Sequence, residues 1–197
     1  MKNLIVVTLF LTVLFFAVPT QAAPLVFAAH LSGDVESPVN NSPATGFAIV
    51  TIDPVAHTMR VEVSFAGLTA PNTAAHIHAP LAIPFTGTAG VATTTPTFTG
   101  FPAGTSGTYD FTYNMTLASS YNPAFVTAQG GSIANAEAVL FGAIMTPGAS
   151  YLNIHTGNFP GGEIRGFLVP TPEPATMLLL GSGLAGVALK FKRRRKS

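Results

Sequence analysis

The sequence predicts a mostly β protein, an antiparallel β-sandwich or barrel with one short helix, flanked by an N-terminal signal peptide and a C-terminal transmembrane helix. Three observations in the middle of the chain carry the fold expectation. Several segments alternate apolar and polar residues with period two, as a strand with one buried face requires. Stretches rich in Gly, Pro, Thr and Asn separate those segments, and one later segment changes to helical spacing.

Lys2 precedes an almost wholly apolar run from Leu4 to Val18, which closes on Pro19-Thr20-Gln21-Ala22. A short apolar run with one basic flank and small residues at its end predicts a secretory signal over residues 1–22, cut after Ala22 by signal peptidase. Residues 23–170 then form the β domain. Leu25–Leu31 is its first strand. Phe47–Asp53 should pair with Met59–Phe65 across the turn Asp53-Pro54-Val55-Ala56, with Met59, Val61, Val63 and Phe65 sharing one face. Further strands are expected at Ala74–His78, Tyr109–Leu117, Ser150–Thr156 and Glu163–Val169. Pro80 to Gly107 reads as an ordered surface loop with one short strand around Thr97–Phe98.

The helix is expected from Ser132 to about Met145. Ser132 can cap it, and Ile133, Leu140, Phe141 and Ile144 recur at helical spacing. Glu137 falls inside that apolar stripe and reads as a carboxylate with a local partner. The tail, residues 171–197, begins Thr171-Pro172-Glu173-Pro174, continues apolar from Met177 to Leu189, and ends on Lys190, Lys192, Arg193, Arg194, Arg195 and Lys196. As a helix, 175–191 spans roughly 25 Å, a little less than a bilayer core. The basic cluster is a topology signal that holds the end in the cytoplasm and anchors the chain in the inner membrane.

Charge and cysteine content exclude several functions. The chain carries nine Lys and Arg, but seven of them sit in the two end segments. The domain between keeps only Arg60 and Arg165 against seven carboxylates, a net of −5, so nucleic acid is not a partner. No cysteine is present, which excludes disulfides, thiolate metal sites and a cysteine nucleophile. The sequence contains no nucleophile elbow, phosphate loop or His-Glu-x-x-His helix, and the protein is expected not to be an enzyme.

Two stretches concentrate polar chemistry. In Ala75-His76-Ile77-His78-Ala79-Pro80, a strand places both imidazoles on one side. In Tyr151-Leu152-Asn153-Ile154-His155-Thr156 and Glu163-Ile164-Arg165-Gly166, a Pro-Gly-Gly turn joins two strands. Pairing His155 opposite Glu163 sets Asn153 opposite Arg165, a polar ladder in which the carboxylate orients the imidazole. If strand 74–78 neighbours this hairpin, His76, His78 and His155 converge as candidate ligands for copper or zinc. The competing reading is a purely structural ladder of Asn153, Glu163 and Arg165 with hydrogen-bonded histidines. His30 and His57 are taken as incidental.

These same two stretches, with Leu31-Ser32-Gly33 and Ala44-Thr45-Gly46, resemble the signature segments of CHRD domains over about residues 25–169. The resemblance implies a β-rich module whose activity in bacteria is largely unassigned. The tail resembles the PEP-CTERM sorting signal, with Pro172, Glu173 and Pro174 as its motif. That resemblance implies a Gram-negative host, processing by an exosortase, and release or attachment at the cell surface, often with exopolysaccharide in a biofilm matrix. The leading expectation is thus an exported non-enzymatic surface or matrix module, and the alternative is an extracytoplasmic metal-binding domain.

Overall fold

The computed structural model describes residues 23–171 and Ser182. The signal peptide, the Pro172-Glu173-Pro174 motif and the basic cluster lie outside the described residues. No helix among the described residues is long and apolar enough to cross a membrane.

The domain is built on one antiparallel sheet curved into a half-barrel. Its strands are β1 (Leu25–Ser32), β2 (Thr45–Asp53), β3 (Thr58–Ala66), β4 (Asn72–His78), β5 (Gly107–Asn114), β6 (Tyr151–Thr156), β7 (Ile164–Phe167) and β8 (Val169–Pro170). Their order across the sheet is β4-β6-β7-β1-β2-β3-β5, with β8 paired to β1. Two helices, α1 (Pro123–Ala128) and α2 (Ile133–Met145), precede β6. α2 is the helix that the spacing predicts, and the Ser132 side chain caps it by accepting from the Asn135 N–H at 3.2 Å. α1 adds a single short turn-and-a-half, capped by Asn122 and opened by Pro123.

Local chemistry sets the register. Asp53 Oδ1 accepts from the N–H groups of Val55 and Ala56, both at 2.9 Å, and this Asx turn closes the β2–β3 hairpin. The pairing then runs without a slip from Asp53↔Thr58 to Thr45↔Ala66. Met59, Val61, Val63 and Phe65 all face the core, with Ala48, Val50 and Ile52 beside them. Leu140, Phe141 and Ile144 of α2 belong to the same apolar cluster, as do Leu152, Ile154 and Ile164. At Gly166 any Cβ would run into the His30 carbonyl, so only glycine lets β7 approach β1 this closely.

Two expected elements differ. β5 stops at Asn114, where the Asn side chain accepts from the Thr116 N–H and turns the chain; Met115 stays buried while Leu117 is exposed. No strand forms at Thr97–Phe98. Thr97 instead accepts the Ala75 N–H on its hydroxyl at 2.9 Å, and Phe98 donates its N–H to the Ala75 carbonyl at 3.0 Å. The 80–107 loop therefore satisfies the free edge of β4 by irregular contacts, which keeps that edge from pairing with another chain.

Candidate metal centre

β4 and β6 are neighbours, with Ala74 opposite His155, His76 opposite Asn153 and His78 opposite Tyr151. Alternation sends Ala75, Ile77, Leu152 and Ile154 into the core. It places His76, His78 and His155 together on the opposite face. Their ring centroids form a nearly equilateral triangle with sides of 5.8, 5.4 and 5.7 Å. One nitrogen from each ring lies within 4.8 Å of the other two.

The remaining nitrogens determine the tautomers. His76 Nε2 lies 2.7 Å from the Pro96 carbonyl, His78 Nδ1 2.9 Å from that of Ala89, and His155 Nδ1 3.0 Å from that of Pro160. A carbonyl only accepts, so each of these nitrogens carries the proton. The lone pairs are left on His76 Nδ1, His78 Nε2 and His155 Nε2, and all three atoms are buried without a hydrogen-bond partner. Three backbone carbonyls thus fix the rings with their unprotonated nitrogens buried in one cluster, as outer contacts do for metal-binding imidazoles.

Protonation is disfavoured here. Burial lowers the pKa of all three rings, and for His78 it brings the value down to about 4. Tyr151 stacks on His78 at 4.8 Å, and the Arg165 guanidinium lies 4.7 Å above the Tyr151 ring. Arg165 is itself buried. It donates to the carbonyls of Val35 and Gly87 at 2.7 and 2.9 Å and sits 3.7 Å from Glu36. Burial raises the Glu36 pKa to about 7, with Arg165 and the Ser37 N–H opposing.

Glu163 departs from the expected ladder. Asn153 lies opposite Arg165, but a bend at Gly162 (φ 134°) turns the Glu163 carboxylate through to the other face, away from His155. There it accepts from Ser42 Oγ (2.7 Å), Thr69 N–H (2.7 Å), Thr69 Oγ1 (3.1 Å) and Thr156 Oγ1 (2.6 Å). Burial would raise its pKa, yet the bonds from Thr156, Ser42 and Thr69 outweigh it and hold the carboxyl below its usual range. The Pro160 carbonyl takes the orienting role that the sequence assigned to Glu163. His57 is likewise not incidental: its Nδ1 lies 2.9 Å from Glu137, the partner that this helix carboxylate required. His30 packs against Phe47 with centroids 4.9 Å apart.

The family model for the CHRD domain matches residues 27–168. This chain belongs to the CHRD-domain family. A second model, the PEP-CTERM protein-sorting motif, matches residues 170–195, directly after the CHRD domain. That order makes the chain an exported protein processed by exosortase. No curated protein and no solved structure shows significant similarity to it. Sequence reasoning missed the Ala89, Pro96 and Pro160 carbonyls because they act through the main chain, and no side-chain pattern advertises them. It also missed Glu36, whose burial comes from the fold of the 33–40 segment around Arg165.

Proposed function

We propose that this CHRD domain is a non-enzymatic metal-binding module of the cell surface or matrix, holding one copper or zinc ion on His76, His78 and His155. The observation that carries the reading is the set of three buried, unpartnered lone pairs in one cluster. An unpaired buried acceptor costs about 1–3 kcal/mol, and three in contact have no structural purpose that an apolar trio would not serve better. A cation satisfies all of them at once. The sorting signal supports delivery to the exterior, and exopolysaccharide is the surface partner we propose for it. Asn153 and Arg165 belong to the surrounding framework, Glu163 to a separate clamp.

The test is metal content. The full chain, exported and purified in mild detergent, is assayed by mass spectrometry beside His76→Ala and His155→Ala. Stoichiometric metal that both variants lose, with circular dichroism unchanged, is the expected result. A folded chain that takes up no metal on reconstitution overturns the reading and leaves the histidines as structure.

A further inference from the structure

We infer that the His76–His78–His155 centre is a dry three-coordinate site that selects the cuprous ion, Cu(I), over Zn(II). The inference rests on the metal-binding reading and narrows it to one ion. Access, charge and geometry all bear on the choice.

Zinc held by three imidazoles completes a tetrahedron with water or another ligand. Here the three donor nitrogens are sealed from solvent. A cavity of about 320 Å³ lies nearby, between residues 36–40 and 158–162, but none of the three histidines lines it. Its wall includes Pro160, so the turn that orients His155 also separates the donors from that space. Among the described residues no other His, Cys, Asp or Glu joins the three donors, and their nitrogens are shielded from solvent. Cu(I), a closed-shell d¹⁰ ion, accepts three nitrogen donors without one.

Charge points the same way. Three neutral imidazoles leave a divalent ion with its full double charge, and burial makes uncompensated charge costly. No carboxylate joins the cluster among the described residues. Glu163 is turned to the opposite face and fully engaged. Glu36 lies beside Arg165, which it faces at 3.7 Å. The guanidinium of Arg165, packed on the ring that stacks against His78, puts positive potential at the site. A monovalent ion meets about half the repulsion from Arg165 that a divalent one does, and about a quarter of the burial cost, which grows with the square of the charge. The rings stand at nearly equal distances from one another, so the three donors can close on one ion together.

The experiment uses the full chain in detergent. Cu(I) is supplied anaerobically with ascorbate against a cuprous chelator, and Zn(II) is titrated against a zinc dye. X-ray absorption is then recorded on each loaded form. The expected result is one Cu(I) per chain, held more tightly than Zn(II), with three imidazole scatterers and no fourth light ligand. Zn(II) binding as tight as Cu(I), or a fourth ligand on copper, overturns the selectivity while sparing the metal site. Failure of both ions to bind the folded chain overturns the broader reading, and this one with it.

Discussion

Replacing Glu163 separates a structural clamp from a ligand-orienting carboxylate. The side chain is fully buried, and its two oxygens tie two segments distant in sequence, at Ser42 and Thr69, to Thr156 of its own hairpin. Each hydroxyl that donates to it also accepts an N–H: Ser42 from Ala44, Thr156 from Phe159, and Thr69 from the Asn158 amide. An ionised carboxylate only accepts, so the hydroxyl protons point to it. In Glu163→Gln the amide oxygen must take the Oε1 position, because the Thr69 N–H cannot accept. The NH₂ then faces Thr69 Oγ1 and Thr156 Oγ1, whose protons lose their acceptor. The amide can donate to the remaining lone pairs of those two oxygens, so the loss is the charge on the bonds and the acceptor of two hydroxyl protons, a destabilisation of about 1–3 kcal/mol. Glu163→Ala orphans the N–H as well and opens a cavity, for about 3–5 kcal/mol.

Urea denaturation of the exported chain at pH 7 measures this cost, and a cuprous titration on the same samples measures the centre. The expected pattern is a lower midpoint with metal affinity unchanged within about twofold, whereas a carboxylate orienting a ligand imidazole costs 10–100-fold. The sign with pH follows from the depressed Glu163 pKa. Its stabilisation is present above the unfolded value, about 4.3, and disappears as pH falls through the lower folded value, so the gap to Gln closes in acid. A Gln variant as stable as the parent, or one that loses metal affinity at unchanged stability, would refute the clamp.

Glu36 carries the opposite sign. Its folded pKa of about 7 lies above the ordinary carboxyl value of 4.5, so stability declines as pH rises between those values, and Glu36→Gln should be the more stable chain at pH 8 by about 2 kcal/mol but not at pH 4. In that background the histidine limb is isolated: with the folded pKa of each imidazole lowered, stability of the metal-free chain is complete above about 6.5 and falls as pH drops toward 4, read as a decreasing thermal midpoint. Gly166→Ala drives a methyl group into the His30 carbonyl and should cost about 2 kcal/mol or more by denaturant titration, with loss of the β1–β7 contact. His57→Ala removes a half-exposed imidazole but leaves the buried Glu137 carboxylate without that partner, and should lower stability by about 1–3 kcal/mol in a urea titration.

Period-two patterning made most of the sheet legible. Met59–Phe65 and Phe47–Asp53 could be placed because one face of each is buried and a one-residue slip would expose it. The same rule placed His76, His78 and His155 on one face once β4 and β6 were neighbours, and only the fold supplies that adjacency. Alternation failed at Glu163, because the bend at Gly162 reverses the side chain just before β7 begins. It failed again at Thr97–Phe98, where a β-branched and an aromatic residue serve side-chain and loop contacts instead of a ladder. The polar wall of the centre was illegible for a further reason. Ala89, Pro96 and Pro160 contribute carbonyls, which every residue possesses, so composition carries no trace of their use.

The three-histidine cluster is held against its own electrostatics, and the way its surroundings hold it argues for a purpose. Three neutral imidazoles with clustered lone pairs repel one another, and a proton shared among them would relieve that repulsion. Burial opposes the proton. Rotating a ring would relieve the repulsion too, but each ring is fixed by a carbonyl from a different loop or turn position. His78 is held a second time by stacking on Tyr151, which in turn is packed under Arg165. A fold selected for stability alone would let one of these constraints go, since a single Val or Thr on this face would pack without orphaned acceptors. The 80–107 loop, which has no regular secondary structure of its own, supplies two of the three carbonyls. Its length is then explained by the centre it encloses, because a shorter connection between β4 and β5 would leave His76 and His78 free to turn.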